Sequence, residues 1–288
     1  MSNGATKKRK NQKTKKQKNQ KMKIFRNKLT LFGIVVLTVF AVLAILAPFI
    51  APYNPSEIVE SDTLAPSIHH FLGTDDLGRD IFSRALYGAR ISLTVGFVAV
   101  FISVFLGTMF GAFAGYYGGW IDSVIMRFVD IMLAFPSIFL VLTIQVMLTP
   151  SIYNIMIVIG GTSWMGVARL VRGEFLKIRE LSYIESARAI GCSNIRIIFR
   201  HILPNALNPI IVAATLGMAG AILTESALSF LGLGVQPPIP SWGNMLMDSQ
   251  SYLWDAPWMS IIPGFLIFIT VLSLYFVGEG LRERVASR

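Results

Sequence analysis

The chain has 288 residues, 53% of them hydrophobic and only 15% charged, with a mean hydropathy of +0.60. Soluble domains carry roughly 25% charged residues, so apolar residues in such excess, gathered in long runs, exclude a water-soluble globule and indicate an integral membrane protein. The net charge of +10 is unevenly placed, and the single cysteine, Cys192, excludes an internal disulfide framework and a cysteine-rich metal site.

In chain order, residues 1–28 come first and hold 12 of the 26 Lys/Arg, with Asn and Gln between them. A basic run of this kind suits either nucleic acid or anionic lipid. A hydrophobic span follows at once, which favours a disordered cytoplasmic tail lying against membrane lipid, with no nucleic-acid partner. The first span, 29–50, is longer than the roughly 7–15 apolar residues of a signal peptide, and Pro48 and Pro52 occupy the place of a cleavage site, so it is retained. Further spans are expected at 91–115, 124–148, 152–170, 206–231 and 258–281. Each is long enough to cross about 30 Å of hydrocarbon at 1.5 Å per residue. The fourth is the weakest, because Gly160, Gly161, Thr162 and Ser163 interrupt it.

The segments between spans carry the polar residues. Residues 51–86 open on a Pro-rich turn and contain Glu57, Glu60, Asp62, Asp75, Asp76 and Asp80. Thr74 and Asp75 are expected to cap a short surface helix, with His69 and His70 in a loop; the spacing is not that of a calcium loop, and no metal site is assigned. Residues 232–257 are too rich in proline to span, and Trp242, Trp254 and Trp258 there suit a membrane interface. Residues 169–204 hold seven basic side chains, while the segments on the other side hold few. The positive-inside rule therefore places both termini, the loop at 171–204 and the tail at 282–288 in the cytoplasm.

Within the spans, ionisable side chains are costly and mark function. Asp130 is expected to pair with Arg127 one turn away, and Glu225 to hydrogen-bond across a subunit interface. Asp130, Glu225, Trp242 and Asn244 are the candidates for a translocation path or an interface. Pro136, Gly217 and Gly220 permit kinks or close helix approach.

The basic loop has helix punctuation of its own. Glu185 to Ile190 is a good helix-forming run, Ser186, Ala187 and Ala189 give it a small-residue side, and Gly191 stands where a helix ends. Glu185, Ala187, Gly191, Leu203 and Pro204 match, in spacing, the EAA signature of ABC importer permeases, from which Ser186 and His201 depart. Residues 72–80, 87–93, 201–205, 227–234 and 237–244 resemble the dipeptide, oligopeptide and nickel group of those permeases, and within it the C-type subunit; there His201 is the expected residue. The resemblance covers about 29–288 and implies an all-α membrane protein of six helices, a type-1 importer core of five behind a peripheral first. It implies a coupling loop formed by Tyr183, Glu185, Ser186, Ala187, Arg188, Gly191, His201, Leu203, Pro204 and Asn205. It also implies a homologous permease as heterodimer partner, two cytoplasmic ATPase subunits and an extracytoplasmic substrate-binding protein, in a bacterial cytoplasmic membrane. The sequence has no Gly-x4-Gly-Lys-Ser/Thr phosphate loop, so no cofactor is expected in this chain and ATP belongs to the partners. The implied function is import of short peptides. A nickel or metal-chelate importer is the alternative, and an ion-coupled secondary transporter using Asp130 and Glu225 is the alternative of another class.

Overall fold

The computed structural model describes residues 27–60 and 63–286, so the basic tail expected at 1–28 lies almost wholly outside the described residues. Among the described residues the chain is helical, with α1 Lys28–Ile50, α2 Ile81–Tyr117, α3 Gly119–Ala134, α4 Ser137–Met147, α5 Ile152–Arg179, α6 Ser182–Ala189, α7 Asn194–Phe230, α8 Trp242–Asp248 and α9 Trp258–Ala286. No strand occurs among them, only an isolated bridge between Thr74 and Asp80. Five helices are long and apolar enough to cross a membrane, and α3 with α4 makes a sixth span if the bent pair counts as one.

Four spans outrun their apolar stretch, α2, α5, α7 and α9. Asp80 caps α2: its Oδ2 accepts the Ser83 backbone N–H at 2.8 Å and the Ser83 hydroxyl at 2.8 Å, so the helix starts ten residues before the expected 91. The short surface helix expected behind Thr74 and Asp75 does not form: Thr74 bridges to Asp80, and Asp75 Oδ1 accepts the backbone N–H groups of Leu77 and Arg79 in a turn. With 37 residues α2 is about 55 Å long, well beyond the hydrocarbon. α5 continues through Arg179, and Gly160–Ser163 do not break it: Gly160 lies against Ala99 and Ile102 of α2, while the Thr162 and Ser163 hydroxyls donate back to the carbonyls of Val158 and Ile159. α9 continues to Ala286, so most of the tail expected at 282–288 is helix.

The third span is broken. Phe135 sits in extended backbone (φ −87°, ψ 134°) before Pro136, and α3 meets α4 at 86°. Proline lacks an N–H and forces its predecessor out of the helical region, so the kink expected at Pro136 becomes a corner.

α2 and α5 lie in close contact. Gly107, Gly111 and Gly115 recur every four residues along α2 and face α5. A Cβ on Gly107 would stand 2.5 Å from the Val167 Cβ, one on Gly115 would stand 2.6 Å from the Phe175 Cβ, and one on Gly111 would overlap the Ala168 carbonyl. Such a ridge of missing side chains lets two backbones approach as closely as helices in lipid can. By contrast Gly220 has open space around it and Gly217 meets only Val100, so the close approach expected there is instead made on α2. α1 is peripheral: Gly33 rests on Ser273 of α9, and Phe49 and Ile45 are exposed.

Candidate coupling loop and buried polar sites

α6 is set by its ends and its inner face. Leu181 is extended before it, and Gly191, at φ +81°, follows it. The Gly191 N–H bonds to the Arg188 carbonyl and the Cys192 N–H to the Ala187 carbonyl, the paired bonds of a glycine-terminated helix. Ile184 and Ala187 are buried against Phe175 and Ile178 of α5 and Ile197 and Ile202 of α7. Ser182, Glu185, Ser186, Arg188 and Ala189 are exposed. The small-residue face is thus Ser182, Ser186 and Ala189, spaced four and three apart; Ala187, expected on that face, points inward.

The second half of the motif lies on α7, which starts at Asn194, well before the expected 206. Residues Ile197–Ile202 form a π-helical turn in which the Leu203 N–H reaches the Ile198 carbonyl. Pro204 follows, and the wider turn accommodates a residue with no N–H to donate. Pro204 and Asn205 are exposed, His201 and Leu203 half-buried. The Asn205 amide donates to the Tyr183 hydroxyl oxygen at 3.4 Å, which joins the two halves of the motif. Beside α6, Ile190, Ile195 and Phe199 are 80%, 70% and 65% exposed, an apolar rim on a basic loop. Their signal was legible: large apolar residues in a segment too charged to enter lipid.

Asp130 is paired elsewhere than expected. Its Oδ1 accepts from Arg169 Nη2 of α5 at 2.6 Å, a bond between helices and not the turn-to-turn pair with Arg127. Asp122 makes a second such link, accepting both Nε and Nη2 of Arg172, the latter at 2.6 Å. Two arginines of α5 thereby hold α3.

Glu225 is fully buried inside its own chain, so it does not reach an interface. Its Oε1 accepts from the Ser229 hydroxyl at 2.8 Å and its Oε2 from the Ser92 hydroxyl of α2 at 3.2 Å. Those hydroxyl oxygens in turn accept the Val235 and Trp242 backbone N–H groups at 3.1 and 3.3 Å. Among the described residues no basic side chain is ion-paired to Glu225, and no bond links it to Asp130.

Trp242 and Asn244 are likewise interior. Trp242 is fully buried, donates from Nε1 to the Ala85 carbonyl at 3.1 Å and packs edge-on against Phe40, so it is not at a lipid interface. Asn244 closes a reciprocal cap on α8 with Ser241 and donates to the carbonyls of Val235 and Ile239. The interface role suits Trp254, which is 95% exposed.

A charge cluster that sequence reading missed ties residues 51–80 to α8. Asp75 Oδ2 accepts from Arg79 Nε at 2.7 Å and pairs with Arg84 Nε at 3.2 Å; Asp248 Oδ2 accepts from both arginines at 3.2 Å. Asp75, Asp76 and Asp248 offer oxygens within 4.8 Å of one another, but the two guanidinium groups already occupy the place of a cation. Burial, with Asp75 and Asp248 adjacent, pushes the Asp76 carboxyl above the usual carboxylate range. His70, expected in a loop, is buried, with Nδ1 2.9 Å from Asp80.

The chain as a whole is similar to known proteins. Residues 107–288 match the family described as binding-protein-dependent transport system inner membrane component, and residues 22–66 match the N-terminal TM domain of oligopeptide transport permease C. The dipeptide transport system permease protein DppC of Alkalihalophilus pseudofirmus is 49% identical over 257 residues, covering 89% of this chain and 84% of that protein. The glutathione transport system permease protein GsiD of Shigella flexneri is 46% identical over 244 residues, 84% of this chain and 80% of that protein. Among solved structures, an inward-facing form of the MetNI methionine ABC transporter is similar over 71% of this chain and 97% of its own, with a TM-score of 0.57 and 20% identity. An amino acid ABC transporter determined with histidines gives 0.54 and 18%, over 71% and 95%. At that identity the structures speak for the fold, a type-1 importer permease fold. On the family match and the two relatives together, the chain belongs to the binding-protein-dependent transport system inner membrane components, and it is a multi-pass protein of the cell membrane.

Proposed function

We propose that the chain is the C-type permease subunit of an ATP-driven importer of short peptides. The peptide class rests on relatives named for dipeptide and glutathione transport, two short peptides. Neither name favours the nickel or metal-chelate alternative. The ion-coupled alternative loses support because Asp130 serves a helix-to-helix ion pair and Glu225 is enclosed by hydroxyls.

The observation that carries the coupling role is α6. Its apolar side is spent on its own chain, and its outer side is a short face of Ser182, Ser186 and Ala189 with an apolar rim. A face of small residues lets a groove of another protein close on the backbone, which is what a cytoplasmic ATPase subunit requires to push on it. With both termini and this loop in the cytoplasm, as the Lys/Arg bias indicates, α6 faces the compartment that holds ATP. The partners are then a homologous permease completing the cavity, two ATPase subunits and an extracytoplasmic binding protein. ATP hydrolysis belongs to the ATPases, and this chain's part is movement. Closure of the ATPases displaces α6, α7 carries the motion without a break from Asn194 to Phe230, and the cavity changes the side to which it opens.

Ser186→Trp tests the docking role, since Ser186 is exposed and its hydroxyl bonds only within α6, to the Ser182 carbonyl. The expected result is loss of the ATPase subunits on co-purification, with membrane insertion and the partner permease retained. Full retention of the ATPases would refute the docking face.

A further inference from the structure

The last turn of α2 is gripped by the elements on both sides of the coupling helix, and the grip centres on Tyr116. Its side chain is 7% exposed. Its hydroxyl donates to Asn194 Oδ1, on the first turn of α7, at 2.7 Å. The Arg188 guanidinium, from the last turn of α6, stands 5.6 Å from the centre of its ring. Arg179, at the end of α5, donates from Nη1 to the carbonyls of Gly115 and Tyr116 at 3.0 and 3.4 Å, which satisfies carbonyls left open where α2 stops. Gly118, at φ +66°, ends the helix just beyond. One residue thus meets α5, α6 and α7.

We infer that Tyr116 is a positioning residue that transmits displacement of α6 to the α2–α5 pair; the inference rests on the reading that α6 receives the ATPase. The physical argument is one of stiffness. Gly107, Gly111 and Gly115 hold α2 and α5 so close that the two move as one body. α6 itself is short and is joined to the spans by turns on either side. Its movement reaches α5 and α7 through the turns on either side, whereas α2, far away in sequence, is held in step with α7 through contacts. Ring packing keeps Tyr116 in the apolar cluster of Phe175, Ile184 and Ile197, and a phenylalanine would fill that space equally. The hydroxyl bond to Asn194 is the directional part, because it holds α2 to the first turn of α7 as that turn follows α6.

The hydroxyl is therefore separable from the packing. The test uses the full transporter, with partner permease, ATPases and binding protein, in liposomes, and reads dipeptide uptake and ATP hydrolysis in the same vesicles. Tyr116→Phe and Asn194→Ala are each expected to lower peptide moved per ATP hydrolysed by about threefold to tenfold, the range set by one net hydrogen bond. Because both remove the same bond, the double variant should be no worse than the poorer single one. Asn194→Asp, which keeps an acceptor oxygen, should restore the ratio. An unchanged ratio in Tyr116→Phe, additive losses in the double variant, or no rescue by Asn194→Asp would overturn the inference while leaving α6 docking intact. Uptake by the unsubstituted transporter without ATP consumption would instead overturn the coupling reading, and this inference with it.

Discussion

Trp242, Glu225 and Asp76 show how far a residue's type predicts its place. A tryptophan in a Pro-rich segment between spans suits a lipid interface, yet among the described residues Trp242 is the largest fully buried side chain, because α8 folds back onto α2, whose Ala85 carbonyl accepts its indole N–H. Trp242→Ala is expected to cost about 3–5 kcal/mol, read as a lower melting temperature in detergent. Glu225 was legible as important, since a carboxyl in a span needs a reason, but its donor on α2 was not: Ser229 is one turn away, whereas Ser92 is 133 residues away. Glu225→Gln keeps an oxygen acceptor for these hydroxyls, whereas Glu225→Leu leaves them unmatched. The Leu variant should therefore melt lower than the Gln variant, by about 1–3 kcal/mol for each group left without a partner. For Asp76 the sign follows from its raised pKa. A folded carboxyl that binds its proton more tightly than the unfolded one favours folding below the ordinary carboxylate pKa, and that contribution is lost as pH rises through the folded value. At neutral pH the charged group is a burden beside Asp75 and Asp248, so Asp76→Asn should raise the melting temperature at about pH 7 and lose that advantage near about pH 4. An Asn variant less stable at neutral pH would contradict this account.

At the scale of elements, five of the expected spans are continuous helices and the third is a bent pair, and most discrepancies in length have one physical pattern. α2, α5 and α7 all continue as helix beyond the hydrophobic stretch, through Arg84 and Arg90, through Arg172, Lys177 and Arg179, and from Asn194 through Arg196 and Arg200. Hydropathy registers only the part of a helix that meets lipid, so these polar ends, the start of α2 in the Asp75–Asp248 cluster and the ends of α5 and α7 beside α6, read as loop. The caps that give the true starts were present: Asp80 with Ser83 for α2, and Ser151 for α5. The corner at Pro136 was visible as a proline and illegible as an angle, because where α3 and α4 lie depends on contacts with α5 that are distant in sequence, such as Asp122 with Arg172. The glycine ridge on α2 was readable from its spacing alone, though attention to Gly217 and Gly220 misplaced the contact. Gly111→Ala should destabilise the isolated chain because its Cβ meets the Ala168 carbonyl, a backbone atom that cannot yield. Gly166→Ala on α5, with nothing within 4 Å, should be neutral or slightly stabilising, since alanine favours helix by about 1 kcal/mol over glycine. Comparing the two melting temperatures tests whether the ridge holds α2 to α5.

For the molecule as a whole, two polar assemblies sit at opposite ends of the helices. At one end the Asp75–Arg79–Arg84–Asp248 cluster and the Glu225 hub fasten the connecting segments into a cap. At the other, α6 and the π turn of α7 form a surface whose inner side is packed and whose outer side is exposed among the described residues. The motif spacing made this second assembly legible; the first is built from contacts distant in sequence and was not. Under the proposed function, a permease so arranged moves cargo only when ATPase subunits push on α6. The most direct measurement is uptake of a labelled dipeptide by proteoliposomes containing this chain, with and without its partner permease, ATPases and binding protein, and with and without ATP on the side that α6 faces. The account predicts uptake only with every subunit and ATP present. Uptake by this chain alone, driven by an ion gradient, would contradict it.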